Sequence, residues 1–181
     1  MFGKAGFAVS GFCVLTVLAG AMATGIAPAR ADAVDQANYC FVYTRGGEND
    51  KAIDACTKAI SSGDLQDADL VSALINRGVA YKAEGKLDQA IDDYTRALKL
   101  TPEDALVLSN RANAYLEKGN LDAAQADIAK SLKINPESAS AWYVSGRIKD
   151  EKGEPGARKD YIQALGLDPD NKDYQAKVAG K

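Results

Sequence analysis

Apolar and small residues between positions 71 and 104 recur at helical spacing in two separate stretches. Leu74, Gly78 and Tyr81 are three or four residues apart, so they share one face of a helix. A second amphipathic helix is predicted downstream, from Leu87, Ala90, Ile91, Tyr94, Ala97 and Leu98. Gly85 lies between the two stretches, and glycine readily takes the left-handed conformation that ends a helix. The pattern therefore predicts a pair of helices joined by a tight turn.

The same pattern returns twice more at a constant interval, which Gly85, Gly119 and Gly153 mark. The other equivalent sets are Leu74, Leu108 and Trp142; Gly78, Ala112 and Gly146; Ala90, Ala124 and Ala157; Tyr94, Ile128 and Tyr161; and Ala97, Ser131 and Ala164. Lys149 departs from the pattern, because tyrosine occupies the equivalent position in the two earlier units. The units are 71–104, 105–138 and 139–171, the last being one residue short.

A proline follows each second helix, at Pro102, Pro136 and Pro169. The residue before it is Thr101, Asn135 or Asp168, and an acidic residue follows it. These residue types predict a helix start, with an N-cap, proline at the first helical position and an acid near the positive helix end.

A more divergent unit precedes these three, over 32–70. It aligns with 71–104 at a constant shift, which pairs Cys40 with Gly78, Tyr43 with Tyr81, Gly47 with Gly85, Ala52 with Ala90, Cys56 with Tyr94 and Ala59 with Ala97. At the other end, residues 172–178 of the 172–181 tail read as a short capping helix. Atypical terminal units are expected in repeat proteins, because they cover the ends of the stack.

These units resemble the tetratricopeptide repeat family, whose 34-residue pattern places an aromatic residue or Leu, then Gly, Tyr, Ala, an aromatic residue, Ala and Pro at set spacings. The resemblance implies an all-α fold, a right-handed superhelical solenoid of about four antiparallel helix hairpins with a short C-terminal capping helix. It also implies a concave face, lined by the first helix of each hairpin, on which peptides or helices of partner proteins bind.

Residues 1–31 have a different character from the rest. Lys4 is the only charged residue before Arg30, and an apolar run fills the space between them. Ala29, Arg30 and Ala31 form a small-x-small exit, so the segment predicts a signal peptide cleaved after Ala31 and an exported chain, periplasmic or secreted. The alternative is an uncleaved membrane anchor, because the uncharged run is long enough to span a bilayer.

Composition removes several classes of function. The 181 residues include no histidine and carry a formal net charge of −3, which becomes −5 without residues 1–31. No His-dependent catalytic triad or His metal site is therefore possible, and the acidic balance disfavours nucleic acid as a partner. No complete catalytic constellation stands out, and acids such as Asp127 are expected on helix surfaces. We expect a non-catalytic protein without cofactor or metal.

Two cysteines, Cys40 and Cys56, lie downstream of the predicted signal segment. The family's hairpin implies that both side chains face the partner helix, and an exported chain meets an oxidising compartment. We therefore predict a Cys40–Cys56 disulfide, the alternative being two buried thiols that pack as small apolar residues.

The resemblance also supplies candidates for the concave face. Asn38, Asn76 and Asn110 are equivalent in three successive units, and stacked asparagines can pair with the backbone of an extended peptide. Further candidates are Phe41, Val79, Lys82, Asn113, Tyr143 and Arg147, joined by Ser109 and Asp150. The alternative is that the asparagines are common surface residues and that the charged groups pair with neighbours. Ile75 and Ser109 depart from the polar or basic groups that chaperone-binding members use.

Two classes of function remain. The first is an adaptor or scaffold that binds a protein or peptide partner, with the chain itself a monomer. The second is a self-assembling or membrane-tethered component of the cell envelope. The polar run at 171–173 favours the adaptor, because a polar end cap opposes end-to-end stacking. The membrane is a partner only if the N-terminal segment is not cleaved.

Overall fold

The computed structural model describes residues 28–180. Most of the predicted signal segment, 1–27, lies outside the described residues, and its cleavage after Ala31 stays a prediction. Within the described part there are nine helices and no strands. They are α1 (Pro28–Arg45), α2 (Asn49–Ser62), α3 (Asp67–Ala83), α4 (Leu87–Leu100), α5 (Ala105–Glu117), α6 (Leu121–Ile134), α7 (Ala139–Lys152), α8 (Ala157–Leu167) and α9 (Lys172–Val178).

The helices pair in chain order into four hairpins, α1–α2, α3–α4, α5–α6 and α7–α8. Each second helix packs on the first helix of the next hairpin, and the first helices α1, α3, α5 and α7 contact one another in succession. The short helix α9 packs on α8. The predicted all-α stack of four hairpins with a C-terminal capping helix is therefore confirmed.

The turns inside the hairpins use glycine as the spacing predicts. Gly47, Gly85, Gly119 and Gly153 have φ values of 71°, 70°, 82° and 65°, in the left-handed region. A side chain would be strained there, so the recurring glycine fixes where each first helix ends.

The predicted helix starts at the prolines are wrong. Thr101, Asn135 and Asp168 cap the C-terminal ends of α4, α6 and α8, and each has an extended φ between −129° and −140°. A residue before proline is driven out of the helical region, so these positions end a helix rather than begin one. The helices that follow are capped by residues two positions beyond the proline. These N-caps are Asp104, Ser138 and Asn171, whose side-chain oxygens accept backbone N–H groups.

Candidate functional site

The predicted concave-face residues all lie on the first helices of the hairpins. Asn38 and Phe41 are on α1 and are exposed. The half-buried members are Asn76, Val79 and Lys82 on α3, Asn110 and Asn113 on α5, and Tyr143 and Arg147 on α7. Because consecutive first helices are in contact, residues at equivalent positions form rows across the stack. The asparagine row ends at α7, where Val144 is buried in the core.

Two side-chain contacts cross this face from one hairpin to the next. Lys82 Nζ lies 3.0 Å from Glu117 Oε1, which joins α3 to α5 as an ion pair. Arg147 Nη1 donates to Asn113 Oδ1 at 3.0 Å, which joins α7 to α5. The amide groups of Asn38, Asn76 and Asn110 take part in neither contact. Lys82 thus has a carboxylate partner, whereas Arg147 contacts a neutral amide.

The two aromatic candidates differ in how far they are already packed. The ring centroid of Tyr143 lies 4.8 Å from that of Tyr174 on α9 and 5.7 Å from that of Tyr161 on α8. Phe41 is half exposed, and the guanidinium carbon of Arg45 lies 5.6 Å from its ring centroid. Phe41 therefore offers more free aromatic surface than Tyr143.

Behind the concave face, a repeated polar contact locks neighbouring hairpins together. Arg77 makes two hydrogen bonds of 2.7 Å to Asp93 on α4 and a third, of 3.0 Å, to Thr57 on the preceding helix α2. Arg111 repeats this arrangement one unit later with Asp127 and Thr95. Each arginine thus joins the second helix of its own hairpin to that of the hairpin before.

Both arginines stay charged in this setting. Burial lowers the pKa of Arg77, but the hydrogen bond and charge of Asp93 outweigh it, so the pKa is raised overall. The hydrogen bond to Asp127 is the largest influence on Arg111 and raises its pKa. The expected surface position of Asp127 is wrong, because its side chain is largely buried against Arg111. The constant repeat spacing of both arginines and both aspartates carried this signal in the sequence.

Comparison with known proteins agrees with the repeated geometry. A family model described as TPR repeat matches residues 78–119, and one described as tetratricopeptide repeat matches residues 105–138. The chain contains tetratricopeptide repeats. No curated protein sequence matches it.

Solved structures extend the likeness beyond the matched repeats. The first tetratricopeptide domain of Spaghetti (RPAP3), bound to the HSP90 peptide SRMEEVD, is 27% identical with a TM-score of 0.57, covering 61% of this chain and 88% of that one. The second such domain of human RPAP3, in complex with the HSP70 peptide SGPTIEEVD, is 26% identical with a TM-score of 0.57, covering 64% and 97%. MamA from Desulfovibrio magneticus RS-1 shares the fold, with 18% identity, 82% coverage of both chains and a TM-score of 0.67.

The first tetratricopeptide hairpin contains a disulfide. Cys40 on α1 and Cys56 on α2 are bonded, with Cα atoms 4.8 Å apart, and both are fully buried. They occupy the positions at which Gly78 packs on Tyr94 in the next repeat. A covalent link between the two helices thus takes the place of a packed ring.

In the last repeat, the cationic residue that pairs with the buried aspartate lies one helical turn later than in the two repeats before it. Ser145 replaces the arginine and donates to Asp160 Oδ2 at 2.6 Å. Lys149, at the tyrosine position one turn later, brings its Nζ within 2.7 Å of the same oxygen. The departure at Lys149 therefore compensates for the missing arginine and keeps Asp160 neutralised.

Between residues 28 and 180, no three Asp, Glu or Cys side chains are grouped as metal ligands. None of helices α1 to α9 has both the length and the apolar character that crossing a bilayer requires.

Proposed function

We propose that this protein is a non-catalytic interaction module that binds a peptide or helix of a partner protein on its concave face, in an exported compartment. The observation that carries the proposal is the row of equivalent asparagines on α1, α3 and α5, continued by the Asn113–Arg147 contact. The two RPAP3 domains support it, because each was solved with a bound peptide and is 26–27% identical to this chain.

The face favours a peptide bound through its backbone with a single anionic anchor. An asparagine amide can donate to and accept from one peptide unit regardless of the peptide's side chains. Arg147 can hold a carboxylate with two parallel hydrogen bonds. Lys82 is already paired with Glu117, so in the described part of this face Arg147 is the one cation of the predicted set without a carboxylate partner.

Export is supported by two independent features. The first is the charge and apolar pattern of residues 1–31. The second is the Cys40–Cys56 disulfide, since such bonds persist in oxidising compartments and are rare in the cytosol. We propose that the signal is removed and that the protein acts as a monomer in the periplasm or outside the cell.

The test is affinity selection from a random peptide library, carried out on the chain recovered from the exported fraction. The selected peptides are then measured against the double variant Asn76→Ala/Asn110→Ala. Loss of a hydrogen bond costs about 1 kcal/mol, so losing one at each asparagine should weaken binding by about tenfold or more. The matched control is Gln89→Ala/Gln163→Ala, which removes two exposed amides from second helices and should leave affinity unchanged.

Equal affinity in both double variants would contradict binding through the asparagine row. Crosslinking in the envelope fraction provides the second readout. A dominant partner that is lost in the asparagine variant supports the adaptor, whereas recovery of only the chain itself supports self-assembly instead.

A further inference from the structure

The two ends of the stack differ in how far their apolar residues are covered. At the C-terminal end, α9 packs on α8 and its Tyr174 is buried against Tyr143. At the other end, the outward side of α1 exposes two large apolar residues: Tyr39 at 52% and Val42 at 58%. Terminal repeats normally present a polar outer surface, so this end face needs an explanation.

The repeat itself shows what this face corresponds to. Val42 is equivalent to Ala80, Ala114 and Ile148, whose exposed fractions are 0%, 0% and 1%. Tyr39 is equivalent to Arg77 and Arg111, which bond to the second helix of the preceding hairpin. The outer side of α1 and α2 is therefore the same surface that joins hairpins inside the stack, left open at the end.

A cleft of about 440 Å³ lies on this face between α1 and α2. Tyr39, Tyr43 and Ala55 line it together with the polar side chains of Gln36, Asp50, Lys51, Asp54 and Lys58. Ala55 stands where the inner units have the buried aspartates Asp93, Asp127 and Asp160, and Tyr39 stands where two of them have arginine. Both members of the buried ion pair are therefore replaced by uncharged residues in the first hairpin.

Most of the charges around the cleft are paired, and Asp50 adds one further negative charge to its lining. Lys51 pairs with Glu48 at 2.5 Å, and Lys58 pairs with Asp54 at 2.7 Å. An occupant would therefore gain most of its affinity from apolar contact, with little dependence on salt.

The inner interfaces also show which occupant fits. In each of them a second helix presents a small residue followed three positions later by Ile or Leu: Thr57 and Ile60 on α2, Thr95 and Leu98 on α4, and Ala129 and Leu132 on α6. Ile60, Leu98 and Leu132 pack in the apolar clusters of the stack. Thr57 and Thr95 accept hydrogen bonds from Arg77 and Arg111. Ala129 is at the equivalent position of α6, which faces the unit that has Ser145 in place of the arginine.

We propose that the end face formed by the exposed side chains of Tyr39 and Val42, beside the cleft that Ala55 helps to line, docks an amphipathic helix of a partner protein. That helix carries a small apolar residue followed three positions later by Leu or Ile, and it takes the place of the second helix of a preceding hairpin. The site is separate from the concave face, so the protein can hold a peptide and a helix at the same time.

The probe is a synthetic helix with the sequence of α4, Leu87–Leu100, in which Ala replaces Thr95. It is stapled on its exposed side, because an isolated helix of this length is only marginally stable in water. Saturable binding to the 32–181 form and to the full chain is measured by fluorescence anisotropy at low and high salt. We expect similar affinity for both forms and at both salt concentrations.

Val42→Asp and Tyr39→Glu should each weaken binding at least tenfold. Leu106→Asp is the matched control, because Leu106 is also 58% exposed but lies on α5, away from the end face. Asn76→Ala/Asn110→Ala should not change the affinity of the helix, which separates failure of this proposal from failure of the concave-face proposal. Melting curves of each variant establish that it is folded.

Four outcomes would overturn the proposal. One is equal binding by the Val42→Asp and Leu106→Asp variants, and another is no saturable binding to either form. The third is binding by the 32–181 form alone, which would mean that residues 1–31 block the face in the full chain. The fourth is a photocrosslinker at position 42 that reacts only with a second copy of the chain, which would make the face a self-association surface.

Discussion

The closest packing inside each hairpin joins a small residue of the first helix to a large residue of the second. A Cβ atom built on Gly78 would lie 2.6 Å from Cε1 of Tyr94, and one on Gly146 would lie 2.5 Å from Cε1 of Tyr161. The middle unit has Ala112 and Ile128 at the same two positions, so a larger residue on one helix is matched by a smaller one on the other. The volume shared by the pair is thus held nearly constant.

Gly78→Ala is expected to destabilise the protein by about 1–2 kcal/mol. Overpacking against a rigid ring costs about 1–3 kcal/mol, and the better helix propensity of alanine returns up to about 1 kcal/mol. Urea denaturation measures the change. Gly166→Ala is the control, because no atom lies within 4 Å of its Cβ position and a small gain in stability is expected there.

The double variant Gly78→Ala/Tyr94→Ile reproduces the pair found in the middle unit. It should recover most of the stability that Gly78→Ala loses. Failure to recover would show that the loss comes from the helix α3 backbone and not from the contact with the ring.

The hydroxyl of Tyr94 is buried and has no hydrogen-bond partner in the described part of the chain. The equivalent hydroxyl of Tyr161 donates to Asp150 Oδ2 at 2.5 Å. Because an unpaired buried hydroxyl costs free energy, Tyr94→Phe should leave stability unchanged or raise it by about 1 kcal/mol, whereas Tyr161→Phe should lower it by about 1 kcal/mol. Denaturation at neutral pH compares the two.

Tyr94 also predicts a loss of stability at alkaline pH. Burial is the largest cause that raises its pKa above the ordinary value of 10.0, and the charges of Asp93 and Glu117 add to it. Above pH 10 the unfolded chain therefore loses this proton while the folded chain keeps it, so the free energy of unfolding falls as pH rises. Its slope above pH 10 should be smaller in Tyr94→Phe than in the wild type. An equal slope in both would contradict this assignment.

At the scale of the helices, the buried cation shows how one repeat departs from its neighbours without losing the contact. In the inner units it comes from Arg77 and Arg111, each stacked on a tyrosine one turn later. In the last unit Lys149 takes the tyrosine position and supplies the charge itself. The last unit thus departs from the repeat at two linked positions: Ser145 removes the arginine, and Lys149 supplies the positive charge that the arginine would have given to Asp160.

Lys149→Met should destabilise the protein by about 2 kcal/mol, which is less than the cost of breaking a fully buried ion pair. The change leaves Asp160, whose side chain is 5% exposed, with only the Ser145 hydroxyl. Breaking a fully buried pair costs about 3–5 kcal/mol, and the 29% exposure of Lys149 reduces that cost here. Thermal unfolding checks the value.

The combined change Ser145→Arg/Lys149→Tyr restores the arrangement of the inner units and should keep stability close to that of the wild type. Ser145→Arg alone should be less stable, because it places two cations beside one carboxylate. If the double variant is no better than either single one, the two positions are not coupled.

For the molecule as a whole, stability is shared between neighbouring hairpins and not across a single core. The apolar clusters span adjacent hairpins, and the first hairpin has a neighbour on one side only within the described chain. The disulfide lies in that hairpin. It compensates there for the contacts that an inner repeat would make on its second side.

Cys40→Ala/Cys56→Ala should lower the free energy of unfolding by about 3 kcal/mol, the cost expected for opening a loop of this size. Hydrogen exchange should rise in α1 and α2 and partly in α3, because a stacked repeat transmits strain mainly to its neighbour. Helices α7 and α8 should keep the protection of the wild type. A uniform rise over all helices would contradict this local coupling.

The pattern of the chain was sufficient for the elements and their order. Contacts within one unit are enough to define its two helices, the glycine turn between them and their pairing. The repeat places the same contacts in each following unit. The prediction that Cys40 and Cys56 would meet rested on the same repeat, through their alignment with Gly78 and Tyr94. The prediction of helix starts at Thr101, Asn135 and Asp168 was wrong, because the residue types that begin a helix also occur where one ends.

What the sequence alone determined is the repeated hairpin, since spacing along a helix decides which side chains share a face. How neighbouring units complete one another follows from the assembled stack. It buried Asp127 against Arg111, coupled Lys149 to Asp160, packed Tyr143 under α9 and left Val42 exposed at the open end. Each depends on whether another unit lies alongside, and no pattern within a single unit contains that information.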